Sequence, residues 1–202
     1  MVASVGNTIR VTLLSTAQVK ALSTGQVQSL STTQISQLTT AQLAAIETAD
    51  IQVLNSSQIR AMSADQIKAL NSDQLVALTS AQLSYLTDQQ ITALSTEQLA
   101  KIESSDFAAL NSSQIAALTT LQLNKLGTAQ FSSISSAAMA GISAEKITAL
   151  STDQIAALTS SQMIKLSATS VAKLSTAQIS KLTSVQSQAL TTAQAAALSS
   201  AQ

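Results

Sequence analysis

Apolar residues recur along the chain at alternating steps of three and five, so the pattern closes on itself every eight residues. Counting the octad from Ser15 to Leu22, STAQVKAL, gives 23 consecutive repeats that end at Leu198, with no insertion or deletion. Position eight is Leu, Ile or Met in all 23, and position five is a sizeable apolar residue in 21, the exceptions being Ser187 and Ala195. Polar positions are as regular. Position one is Ser, Thr or Asn in 20 octads, Glu47, Glu103 and Gly127 being the exceptions, and position four is Gln in 18.

Ser, Thr and Asn are the side chains that cap a helix start by accepting a bond from an orphan backbone N–H. Followed three residues later by Gln, they form a capping box, in which each side chain satisfies the other's backbone N–H. The residue before the cap and the one at the fifth position then meet as a hydrophobic staple. Both devices fall in one register and recur in every octad, which predicts one short helix per octad. Charge placement agrees independently. All ten acids lie in positions one to four, and eight of the ten bases lie in positions six and seven, Arg10 and Lys146 being the exceptions. Acids at a helix start and bases at its end complement the helix dipole.

Two rival structures fit less well. In one continuous helix the apolar stripe would drift by about 80 degrees per octad and wrap around the rod. In a β-solenoid successive side chains alternate faces, so positions five and eight would point to opposite sides unless the chain bent within each octad. The expected fold is therefore all-α, a narrow solenoid of very short capped helices, with a β-solenoid as the alternative. A helix this short cannot stand alone, since nucleation is costly and few intrahelical bonds repay it. Stability has to come from stacking. Positions five and eight are expected inside, positions two, three and six mainly in water, with three or four octads per turn.

Residues 1–14 read as a degenerate first repeat or cap, in which Asn7, Val11 and Leu14 keep the register while Ile9 and Arg10 are atypical. Residues 15–202 read as the octapeptide-repeat solenoid. A soft joint is expected at 127–142, which loses the cap at Gly127 and the Gln at Ala138 and carries Gly141. Fraying is expected from about residue 183, where Ser187 and Ala195 thin the core. The chain stops halfway through an octad, which suggests a segment of a longer array. ETADIQVLNSSQI at 47–59 echoes ESSDFAALNSSQI at 103–115, seven octads later, which could be a duplication unit or two superhelical turns, duplication being the plainer reading.

Composition narrows function more than it names it. His, Cys, Trp and Pro are absent, so no imidazole base, thiolate ligand or disulfide exists. Ser and Thr abound, but no histidine is there to activate one as a nucleophile. Calcium loops and glycine-rich phosphate loops are missing. Glu47 with Asp50, and Glu103 with Asp106, could pair for acid or base work, but they occupy positions one and four and are expected to serve as caps there. Ten acids balance ten bases, which gives no pull toward nucleic acid. Neither a convincing signal peptide nor a membrane span is visible. Thr at position two from Thr16 to Thr48 could suggest an ice-binding face, but Ala64 and Asp88 interrupt it.

The whole array from 15 to 202, with octads such as TTAQLAAI, resembles the Ser/Thr-Ala-Gln-rich tandem repeats, LTTAQIAAL in style, of very large bacterial surface or secreted proteins. The resemblance implies an elongated, extracellular or cell-surface, non-enzymatic role and supplies no catalytic, cofactor or metal residues. The expected function is a spacer, stalk or filament segment. The alternative is a binding module that uses a repetitive Ser/Thr/Gln face for glycan, ice or protein. The expected partners are copies of the chain associating end to end, or neighbouring repeat modules, without nucleic acid or membrane insertion.

Overall fold

The computed structural model describes residues 10–202, and among them the chain forms 22 α-helices of four to six residues and two 3-10 turns, with no strand. The β-solenoid alternative is thereby excluded. Each helix begins where the octad predicts. Ser31 caps Thr32–Gln37 with φ −70° and ψ 161°, its hydroxyl accepting from the Gln34 N–H, and the helix stops at Leu38, which is extended at φ −60° and ψ 134°. Position eight and the following position one are both extended, so two consecutive residues turn the corner between helices. Such corners need no left-handed residue, which explains how so many helix ends are made with four glycines in the whole sequence.

The chain divides into two compact units, Met1–Leu94 and Ser95–Gln202, and the division falls between octads. Within the first, the helix Thr24–Gln28 packs on Thr48–Ile51, and Thr32–Gln37 on Ser56–Ala61. Within the second, Ser104–Phe107 packs on Thr128–Ser133. Every such pair lies three octads apart, so in each unit the chain coils back on itself. Positions five and eight line the interior from Val19 to Leu174: Val27, Ile35, Leu43 and Ile51 are completely buried, as are Phe107 and Phe131. Burying a side chain of this size contributes roughly 1.5–3 kcal/mol, and each octad over that span supplies two.

At the start, Arg10 and residues 11–14 belong to the degenerate repeat; Val11–Leu13 form a 3-10 turn and Val11 is buried at its position five, while Ile9 and the rest of 1–9 lie outside the described residues. Over 183–198 the helices Ser184–Gln188 and Thr192–Ala196 are formed with complete capping boxes, while Leu182, Leu190 and Leu198 are only half-buried.

The stretch 127–142 lies within the second unit and departs from the pattern in two ways. Gly127 offers no side-chain cap, although the Gln130 Oε1 still accepts from its N–H at 2.9 Å. Ala138–Gly141 is a 3-10 turn that packs against the helix Ser112–Ala117. Small residues permit that approach: a Cβ on Gly141 would come within 2.2 Å of the Ser112 carbonyl oxygen and 2.9 Å of the Ala116 nitrogen. Nothing lies within 4 Å of a Cβ built on Gly25, inside the helix Thr24–Gln28. Gly141→Ala should therefore cost at least about 2 kcal/mol by forcing backbones apart, whereas Gly25→Ala should stabilise by about 0.5–1 kcal/mol through helix propensity alone. Paired thermal melts check both signs.

Candidate functional site

Position four does more than close the capping box. The Gln74 Oε1 accepts from the Asn71 N–H at 3.1 Å and the Asn71 Oδ1 accepts from the Gln74 N–H at 2.9 Å, which is the box. The Gln74 Nε2 then donates to the Leu43 carbonyl at 3.0 Å and the Ile46 carbonyl at 2.7 Å, on the preceding turn. The oxygen and both amide hydrogens are thus in use, and Gln74 is 1% exposed. In the second unit Gln154 repeats the arrangement, its Nε2 reaching the Leu123 and Leu126 carbonyls at 2.8 Å each.

The spacing is constant. Gln42, Gln66, Gln82, Gln90, Gln130, Gln162, Gln178 and Gln194 donate to carbonyls 31 and 28 residues earlier. These are positions five and eight of the fourth octad back, while the helix body packs on the third. One turn of the coil therefore takes between three and four octads. Those carbonyls belong to a helix's last turn and its corner, where no intrahelical donor reaches all of them. A Gln on the next turn supplies it, at about 1 kcal/mol net per bond.

A capping box alone accepts Glu as well as Gln, and the helix dipole would favour Glu. Glu never occurs at position four in this chain. The exclusion is the signal in the sequence for a second role, because only an amide can donate to two carbonyls while accepting a third bond.

Departures from Gln differ in whether they keep the crossing. Lys146 lacks the reciprocal box, but its N–H still bonds the Ser143 hydroxyl and its ammonium donates to the Ala116 carbonyl on the preceding turn. Partial burial pushes the Lys146 ammonium below the usual lysine range. Ser170 is too short to cross; it bonds Ser167 within its own octad.

The acids at position one do not cap as expected. Glu47 and Glu103 make no side-chain cap bond, since their carboxylates stand one methylene farther out than the short side chains that fold back onto the helix start. Asp50 is 4% exposed whereas Glu47 is exposed. Asp106 is half-buried. Among the described residues no three metal-capable side chains cluster.

Other charges lie at the surface. The Glu97 carboxyl is held below its usual range by hydrogen bonding from its own backbone N–H, then from Ser95 and Thr96, with Lys125 adding attraction 28 residues on. Glu145 is lowered in the same way by its own N–H and Ser143, with Lys173 at the same separation. Exposed large apolar residues are scattered: Leu13, Val76, Leu121, Ile164 and Val185 fall in five different octads. Two open clefts exist, one of about 420 Å³ bordered by Lys20, Glu47 and Asp73, the other of about 380 Å³ bordered by Arg60 and Asp88. Both are lined by side chains that already serve as helix starts or ends. No described helix is long and apolar enough to cross a membrane.

The family model described as the ALTTAQ repeat matches residues 11–40, 43–80 and 99–136. No curated protein matches the chain.

Gln74→Glu keeps an acceptor for the Asn71 N–H but sets a carboxylate against the Leu43 and Ile46 carbonyls. It should cost about 2–4 kcal/mol, read as a lowered denaturation midpoint. Lys146→Gln removes a desolvated charge and restores the repeat's own donor, and should raise Tm by roughly 2–4 °C.

Proposed function

The chain belongs to the ALTTAQ repeat family, and from that premise we propose that it is a non-enzymatic structural repeat module, an elongated spacer, stalk or filament segment of a bacterial surface or secreted protein. One observation carries the reading. The most specialised residue of the octad, the buried Gln, is spent on joining one turn to the next. Each turn contacts its neighbours and needs no distant part of the chain, which is how repeat arrays gain length without a larger core. An extracellular or cell-surface location is part of the proposal and rests on the likeness of the octads to those of large bacterial surface proteins.

The binding-module alternative draws less support. A lattice-matching face needs identical side chains in a straight row, and a turn that takes a fractional number of octads sets equivalent hydroxyls of successive turns out of line. The interruption of the position-two Thr series by Ala64 and Asp88 points the same way.

Small-angle X-ray scattering of the monomer tests the spacer. A compact domain of 202 residues has a radius of gyration of about 17 Å. An elongated spacer should exceed that value clearly and show a constant narrow cross-section. A radius near that of a compact domain would overturn the reading.

A further inference from the structure

We propose that Asp50 belongs to a calcium site, in which its carboxylate and the carbonyls of Leu22 and Val19 hold one ion between two turns of the first unit.

The octads on either side of Asp50 carry Gln at position four. Gln42 reaches the Leu14 carbonyl at 2.7 Å and Gln58 the Leu30 carbonyl at 2.8 Å, 28 residues back in each case. The same count from Asp50 leads to the Leu22 carbonyl, and the Val19 carbonyl stands 31 residues back. Because both flanking octads keep the register, the Asp50 carboxylate faces the pair of carbonyls that an amide would otherwise bond. The Leu22 carbonyl has no donor among the described residues, and the Val19 carbonyl accepts only backbone N–H groups of its own corner.

Both sides of the gap are therefore acceptors. Asp50 is 4% exposed, and its carboxylate makes neither a hydrogen bond nor an ion pair among the described residues. Its oxygens still touch solvent, because every fully enclosed side-chain oxygen among the described residues has a partner. A buried carboxylate is costly until a positive charge compensates it. A water molecule would bridge the two acceptors and leave the charge in place, whereas a cation answers both. The carbonyls end the helix Thr16–Lys20, where the helix dipole also favours a cation.

The dimensions suit calcium. Asp is one methylene shorter than Gln, which takes about 1.3 Å from its reach and leaves about 4 Å between the carboxylate and carbonyl oxygens. Two oxygens that each stand about 2.4 Å from one calcium ion are about 3.4–4.8 Å apart. Calcium accepts carboxylate, carbonyl and water oxygens together in a flexible shell, which matches this mixed set. Glu47, exposed and without a cap bond, offers a second carboxylate three residues ahead of Asp50. Glu47, Thr48 and Ala49 border an open cleft that admits solvent. Lys20 borders the same cleft and pairs with neither carboxylate.

Calorimetric titration of the 202-residue chain with calcium chloride at fixed ionic strength tests the proposal. Wild type should bind one ion more than Asp50→Gln, with a Kd of about 0.1–1 mM. Asp50→Gln restores the donor used by the neighbouring octads, so in the presence of a chelator its Tm should lie about 2–4 °C above that of wild type. Calcium should then raise the wild-type Tm more than the variant's. Asp73→Asn removes an exposed acid of the same cleft and should keep the ion. A wild type that binds no calcium, or equal stoichiometry in wild type and Asp50→Gln, would overturn the inference. So would an Asp50→Gln variant less stable than wild type in chelator, since position 50 would then not face the two carbonyls. Loss of the ion in Asp73→Asn would place it in the open cleft and overturn the inference as well.

Discussion

Three hydrogen bonds made by one primary amide hold this protein together. Gln82, like most of its counterparts from Gln42 onward, accepts from the backbone N–H that starts its own helix and donates to two carbonyls that end a helix on the turn before. Either half alone would leave a cost. Short helices expose a large share of unpaired backbone groups, because the ends are most of the helix. In a coil of four- to six-residue helices with buried corners, those groups would be desolvated together. The Gln satisfies them at both ends of adjacent turns, and the core of Leu and Ile can then close.

That arrangement divides labour among the eight positions. Positions five and eight provide burial, position one begins the helix, and position four sets which turn meets which. Residues three octads apart pack, and bonds reach into the fourth. Side chains at the small position seven, such as Ala45, Ala69 and Ala93, are half-buried between neighbours. The outer positions are left to solubility and carry exposed charges such as Glu97.

Much of this was legible in the sequence because each device there is local. Ser15, Gln18 and Val19 specify a cap, a box and a staple within a span of five residues, and the helix follows where they place it. The interior positions were legible for the same reason. The link between Gln18-type residues and carbonyls 28 and 31 residues away was not, since the period of the coil is set by how corners pack and no single octad contains it. Its trace was compositional, the exclusion of Glu from position four. The acids at position one misled because charge and helix dipole argue for caps at Glu47 and Glu103, whereas side-chain length decides against them. Lys146 was legible as an exception, and only the coil shows that it performs the same crossing by another chemistry.

Near-identical octads carry a hazard of their own, and Gly141 bears on it. A coil of interchangeable units could loop out one octad during folding and resume the same contacts eight residues later with little loss. The seat at Ser112 and Ala116 accepts a backbone without a Cβ, beside an Ala138 that is 1% exposed where most octads carry Gln. No other octad in the chain offers an alanine at position four with a glycine three residues later. The least regular repeat thus marks one place in the coil by its own composition, in a sequence that otherwise gives the chain few means of counting.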